Sequence, residues 1–161
     1  MITFKNTKLV DKQALKYSRS LSEYIIDKFF TKPKQAKMKI SVQFVEGLFD
    51  KENTYANCVW EDEHRRGNEF TIQVEPKQKI NLLLNSIAHE LVHVKQWAKG
   101  EYYELVHKPK VYKFNGKEVD TSKVDYWDTP WEIEAHGRAI GLVVLWARKH
   151  NLTQQNLIVE G

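Results

Sequence analysis

The chain has 161 residues, 42% hydrophobic and 12% aromatic, enough apolar material for one real core and too much for a disordered segment. Its one cysteine, Cys58, excludes an internal disulfide and any cysteine-rich zinc finger, no apolar run reaches the length of a membrane span, and Met1–Asn6 lacks the apolar stretch of a secretory signal. A single domain over 1–161 in a reducing, cytoplasmic setting is expected, with a net charge of +4 that is unevenly spread, residues 1–40 carrying ten Lys/Arg against three Asp/Glu.

Residues 11–30 read as a helix capped by Asp11, with Ala14, Ser18, Leu21, Ile25 and Phe29 turned inward and Pro33 ending it. Residues 1–37 thus form a basic, helical N-terminal segment ahead of the core of the domain over 38–149. Lys28, Lys32, Lys34, Lys37 and Lys39 make nucleic acid a partner to consider, although such a run is more often a solvated face. Lys37–Val45 alternates, with Met38, Ile40, Val42 and Phe44 on one side, as in a half-buried strand. Two further strands are predicted around 56–62 and 69–75, with Arg66-Gly67-Asn68 as the turn between them. Cys58 falls in the first of these and reads as a small packing residue.

Residues 81–100 read as one helix. Leu84, Ile87, Ala88, Leu91, Val94 and Ala98 form its buried stripe, and Gly100 suits the position just past its end. On the adjacent face lie His89, His93 and Gln96, the two histidines bounding the run His89-Glu90-Leu91-Val92-His93. This is H-E-x-x-H spacing. Positions four apart differ by about 40° around a helix axis, so both imidazoles can converge on one metal, and Glu90, offset from His89 by about 100°, flanks it as a base. With 6 His in the chain, about 0.02 accidental matches to the pattern are expected.

A catalytic zinc usually takes a third protein ligand. The metzincin pattern would need Gly at 96 and His at 99, and the chain has Gln96 and Lys99. Between the two candidate ligand segments, Val111–Val119 carries the Asn115-Gly116 pair of a tight hairpin. Asp128–Arg148 is then a helix with Asp128 or Thr129 as cap and Pro130 in its first turn. Glu132, His136, Ile140, Val143 and Ala147 share one face, while Glu134 and Arg138 pair on the other, which favours Glu132 over Glu134 as the inward carboxylate. Thr129-x-x-Glu132 also fits a capping box, and His136, His107 and His64 are alternative third ligands. His136 and Tyr126 neighbour the third-ligand segment and are candidates to stabilise an oxyanion or orient a ligand. Trp127 and Trp131 read as core or cleft-wall aromatics.

His89–His93 and Glu132-Ile-Glu-Ala-His136, with the strands before the first motif, resemble the small zincin metallopeptidases of the gluzincin type over residues 38 to 148. In that group a Glu on a second helix, within E-x-x-A-D or E-x-x-A-N, completes the zinc site, which implies Glu132 as ligand and Ala135 as the small packing residue; His136 departs from the last position. The combination also resembles short metallopeptidase-like proteins of bacteriophages, and more loosely the SprT-like and ImmA-type families, the former usually with a third His. The implied fold is a minimal zincin: N-terminal helix, small mostly antiparallel three-stranded sheet, H-E-x-x-H helix, hairpin and C-terminal ligand helix, an α+β unit. The implied activity is hydrolysis of a peptide or protein substrate, with Zn²⁺ on His89, His93 and Glu132 and a metal-held water activated by Glu90. A non-catalytic binding module of the same fold, or a peptidase acting on DNA-associated proteins, are the rival expectations.

Overall fold

The computed structural model describes residues 1–62 and 64–159. Its first element is a strand the sequence reading lacks, β1 (Ile2–Lys5), and α1 (Lys12–Phe29) follows, its N-terminus capped by Asp11 accepting from the Ala14 N–H at 2.8 Å. Ala14, Ser18, Leu21, Ile25 and Phe29 are all buried, as the helical period requires. Pro33 does not end this helix. It opens a second short one, α2 (Lys32–Lys37), where a missing N–H costs nothing.

Strand β2 (Lys39–Phe44), helix α3 (Leu48–Glu52), β3 (Ala56–Trp60) and β4 (Glu69–Val74) come next. The sheet has four strands in the order β1-β2-β4-β3 and is mixed: β1 and β4 run parallel to β2, and β3 runs antiparallel to β4. The α+β class is as expected, whereas this sheet is larger and less antiparallel than the three-stranded one read from the sequence. Ile40, Val42 and Phe44 stand beside Phe70, Ile72 and Val74 in register, and all six side chains are buried. Their face packs under α1 and the long helix α4 (Ile80–Ala98). Burying such rows contributes roughly 1.5–3 kcal/mol per side chain before the entropy of ordering is counted.

After α4 the chain turns at Gly100, whose φ of +69° a side chain would resist. It then builds a separate antiparallel sheet of β5 (Tyr102–Glu104), β6 (Val111–Phe114) and β7 (Lys117–Asp120). Asn115 and Gly116 join β6 to β7 with positive φ at both, the tight turn expected from their sequence. A 3₁₀ turn at Tyr126–Asp128 leads into α5 (Pro130–Lys149). Fully buried Ala135, Ala139 and Ala147 help seat α5 against its neighbours, α4 foremost.

An aromatic chain fixes where α5 begins. Trp97 on α4 stacks on Trp60 of β3 (5.9 Å between centroids) and on Tyr102 of β5 (6.1 Å), and Tyr102 packs on Trp131 at 4.4 Å. Trp131 is 5% exposed, a buried residue that also borders the hollow beside His93 and Glu132. Its neighbour in sequence is Glu132. Among the described residues no helix is long and apolar enough to cross a membrane.

Candidate metal centre

His89 and His93 stand one turn apart on α4, their rings at 80° to each other and their Nε2 atoms 3.1 Å apart. From the first turn of α5, Glu132 brings Oε2 to 3.3 Å from His89 Nε2 and Oε1 to 3.3 Å from His93 Nε2. The alternative reading of a capping box is not met: the Thr129 hydroxyl donates to the Tyr126 carbonyl at 2.7 Å and makes no cap, and the Glu132 carboxylate faces the imidazoles. Glu134 lies elsewhere, against Lys95 and Arg138. His64 and His107 are exposed and stand outside the group.

The three donors fit a metal ion. His89, His93 and Glu132 each offer an atom within 4.8 Å of the others, and they form a buried group that could hold a cation. A tetrahedral centre with ~2.0–2.1 Å bonds has edges of about 3.3 Å, close to the three separations here. Glu132 Oε2 and His89 Nδ1 are buried without a hydrogen-bond partner, and an orphaned carboxylate oxygen is costly unless something positive meets it. Burial alone would raise the Glu132 carboxyl; His89, His93 and Tyr126 override it and hold the group far below the usual carboxylate range. It is an anion aimed at two imidazoles.

The sequence reading placed Gln96 on this face and gave it no role. Its amide Nε2 donates to the Trp131 carbonyl at 2.9 Å and to Glu134 Oε2 at 3.0 Å, which turns its oxygen toward His93 Nδ1 at 2.8 Å. His93 must therefore donate from Nδ1, leaving Nε2 to face the metal position, an assignment that follows from the hydrogen-bond network. Lys95 was missed as well. Its ammonium is buried between Glu101 (2.7 Å) and Glu134 (2.6 Å), tying α4 to α5. The i,i+3 spacing from His93 is the local signal for Gln96, whereas the Lys95 partners come from other elements and nothing local marks it.

Glu90 is 6% exposed and lines the cleft beside His89. Burial pushes its carboxyl above the ordinary value, while the imidazoles pull the other way. His136 sits at the rim, its ring 4.3 Å from that of His89 and its Nε2 3.9 Å from Glu132 Oε2, too far to be a donor of the triangle. Burial and the neighbouring His89 push its pKa down. Tyr126 lies beside the Glu132 carboxylate, and partial desolvation together with that charge keeps its phenol protonated although the ring is largely exposed. Trp127 is 65% exposed and packs on His136 at 5.1 Å. It is a cleft wall.

No protein-family model, curated protein or solved structure matches the chain.

The Cys58 thiol, on the strand that borders the cleft, is free, and burial and the nearby Glu90 push its pKa well up. That makes it a poor nucleophile and a packing residue.

Proposed function

We propose that the chain is a zinc-dependent peptidase with a zincin-like arrangement of the gluzincin type. The observation that carries this reading is the convergence of His89, His93 and Glu132 with the buried carboxyl of Glu90 beside them at an open cleft. Two imidazoles and a carboxylate are a donor set found in hydrolytic zinc centres, and one that leaves a coordination position free. When bound, zinc would supply a Lewis acid that polarises a carbonyl and eases deprotonation of water.

The protein's own residues would do the rest. Glu90 takes a proton from the attacking water and returns it to the leaving amine as the C–N bond breaks. Its upward-shifted carboxyl suits both directions of that transfer. Gln96 holds the His93 tautomer. Tyr126, protonated and beside Glu132, is the donor placed to meet negative charge on the carbonyl oxygen, with His136 as the second.

A structural metal has no need of a base alongside, which favours the enzyme over a non-catalytic module. Action on DNA-bound proteins has less support: Lys32 pairs with Asp27, Lys39 with Glu69, and Lys34 is spent on Asn68 and Gly67. The deciding experiment is metal analysis of the purified protein together with peptide digestion by the wild type and Glu90→Gln. One zinc per chain in both, with cleavage only by the wild type and only without chelator, is expected. Equal cleavage by both would remove Glu90 from its role.

A further inference from the structure

The cleft beside His89 and Glu90 opens into a cavity of about 650 Å³, mid-range for a ligand pocket. Its walls carry aromatic rings that the fold leaves uncovered. Phe49 and Tyr55 stack on each other at 4.4 Å from the segment before β3, and Tyr126 and Trp127 meet edge to face at 5.3 Å from the turn before α5. They are 39%, 46%, 55% and 65% exposed, so four large rings from two separate segments stay in water around one hollow. Neither Lys, Arg nor Asp lines it; beyond the rings it is bordered by small or neutral residues and by His89, Glu90 and His136. One turn before His89 on α4, Asn85 adds a neutral amide to the same wall.

We propose that this cavity binds the aromatic or large aliphatic side chain of a peptide substrate at a residue adjoining the cleaved bond. This rests on the peptidase reading for the word substrate, but the recognition itself does not need turnover. Aromatic rings held at the mouth of a polar cleft gain by covering apolar surface, and their quadrupoles favour another ring packed edge-on or offset. No Lys or Arg stands on these walls to pair with an acidic side chain, which would be desolvated beside Glu90. The four rings set selectivity.

The test uses zinc-loaded full-length protein and has two arms. In the first, a fluorogenic peptide library varied at each position near the bond is digested by the wild type and by Phe49→Ala, Tyr55→Ala and Trp127→Ala. In the second, Glu90→Gln is titrated with N-acetyl-phenylalanine methylamide and its aspartate counterpart, following Trp127 fluorescence and amide NMR shifts. Binding of the phenylalanine ligand at least about tenfold tighter than the aspartate one is expected, as for one well-buried ring. That preference should shrink severalfold in each wall variant. Peptide cleavage with no preference for large apolar residues would overturn this proposal and leave the peptidase intact. Selective binding without any cleavage would leave the proposal standing as ligand recognition and remove the enzyme. Absence of both, or ring ligands shifting resonances only outside the cavity, would end the proposal.

Discussion

Gln96 accepts the Nδ1–H of His93 at 2.8 Å while its own amide group spans to α5 through the Trp131 carbonyl. One fully buried side chain thus sets the tautomer of a metal donor and anchors the helix that delivers Glu132. Outer residues of this kind typically contribute 10- to 100-fold in metal affinity. Gln96→Leu should therefore weaken zinc by about 10- to 100-fold, read by competition with a chromophoric chelator. Unchanged affinity in a folded Gln96→Leu would mean that the ring is oriented by packing alone.

The two carboxylates of the α5 first turns should separate cleanly. Glu132→Ala removes a donor and should abolish stoichiometric zinc while leaving the aromatic chain around Trp131 in place. Glu134→Ala should keep the metal and lose stability, because Lys95, 8% exposed, would retain only Glu101. The cost is on the order of 1–3 kcal/mol, less than for a buried ion stripped of every partner. Denaturant unfolding and metal content, measured on both variants, assign the roles. If Glu134→Ala is the one that loses zinc, the donor triangle described here is wrong.

Glu134 also predicts an acid-side dependence. Burial alone would raise its carboxyl, but hydrogen bonds from Lys95 and Gln96 prevail and hold it below the ordinary value of 4.5. In the window between the folded and unfolded values the unfolded chain binds more protons, so stability rises with pH there. The contribution is fully present above about 4.5 and is lost as pH falls through the lowered folded value. Glu134→Gln should flatten the dependence of unfolding free energy on pH below 4.5, and an unchanged slope would show that the group is solvated.

These partnerships mark where the amino-acid order stops speaking for the site. The helical stripe of α4 and the alternation of β2 and β4 are local periodicities, and the buried residues match them. His89, His93 and Glu132 were legible because helix geometry fixes the first pair and the inward face of α5 selects the third. Strand β1 was not, since Ile2 and Phe4 are its only alternating pair and four residues carry little pattern. Its parallel pairing with β2 is a tertiary choice, as is β4 lying between β2 and β3. Lys95 carries no mark of its own in the sequence, and only the arrival of Glu101 and Glu134 makes it a buried tie.

Metal removal should be measurable as a pH-dependent loss of stability. Burial by itself would lower the His93 imidazole, but its bond to Glu132 and the nearby Glu90 prevail and raise it above 6.5. In the metal-free protein a proton on His93 therefore stabilises the fold below the unfolded value, and that help fades as pH rises through the folded value. A metal ion takes the same place and requires the neutral ring, so it competes with that proton. Zinc at about 100 times its dissociation constant adds roughly 2.7 kcal/mol. The difference in unfolding midpoint between zinc-loaded and chelator-treated protein should thus be small at pH 6 and grow toward pH 8. A difference independent of pH, or the same shift in His93→Ala, would place the bound metal away from this imidazole.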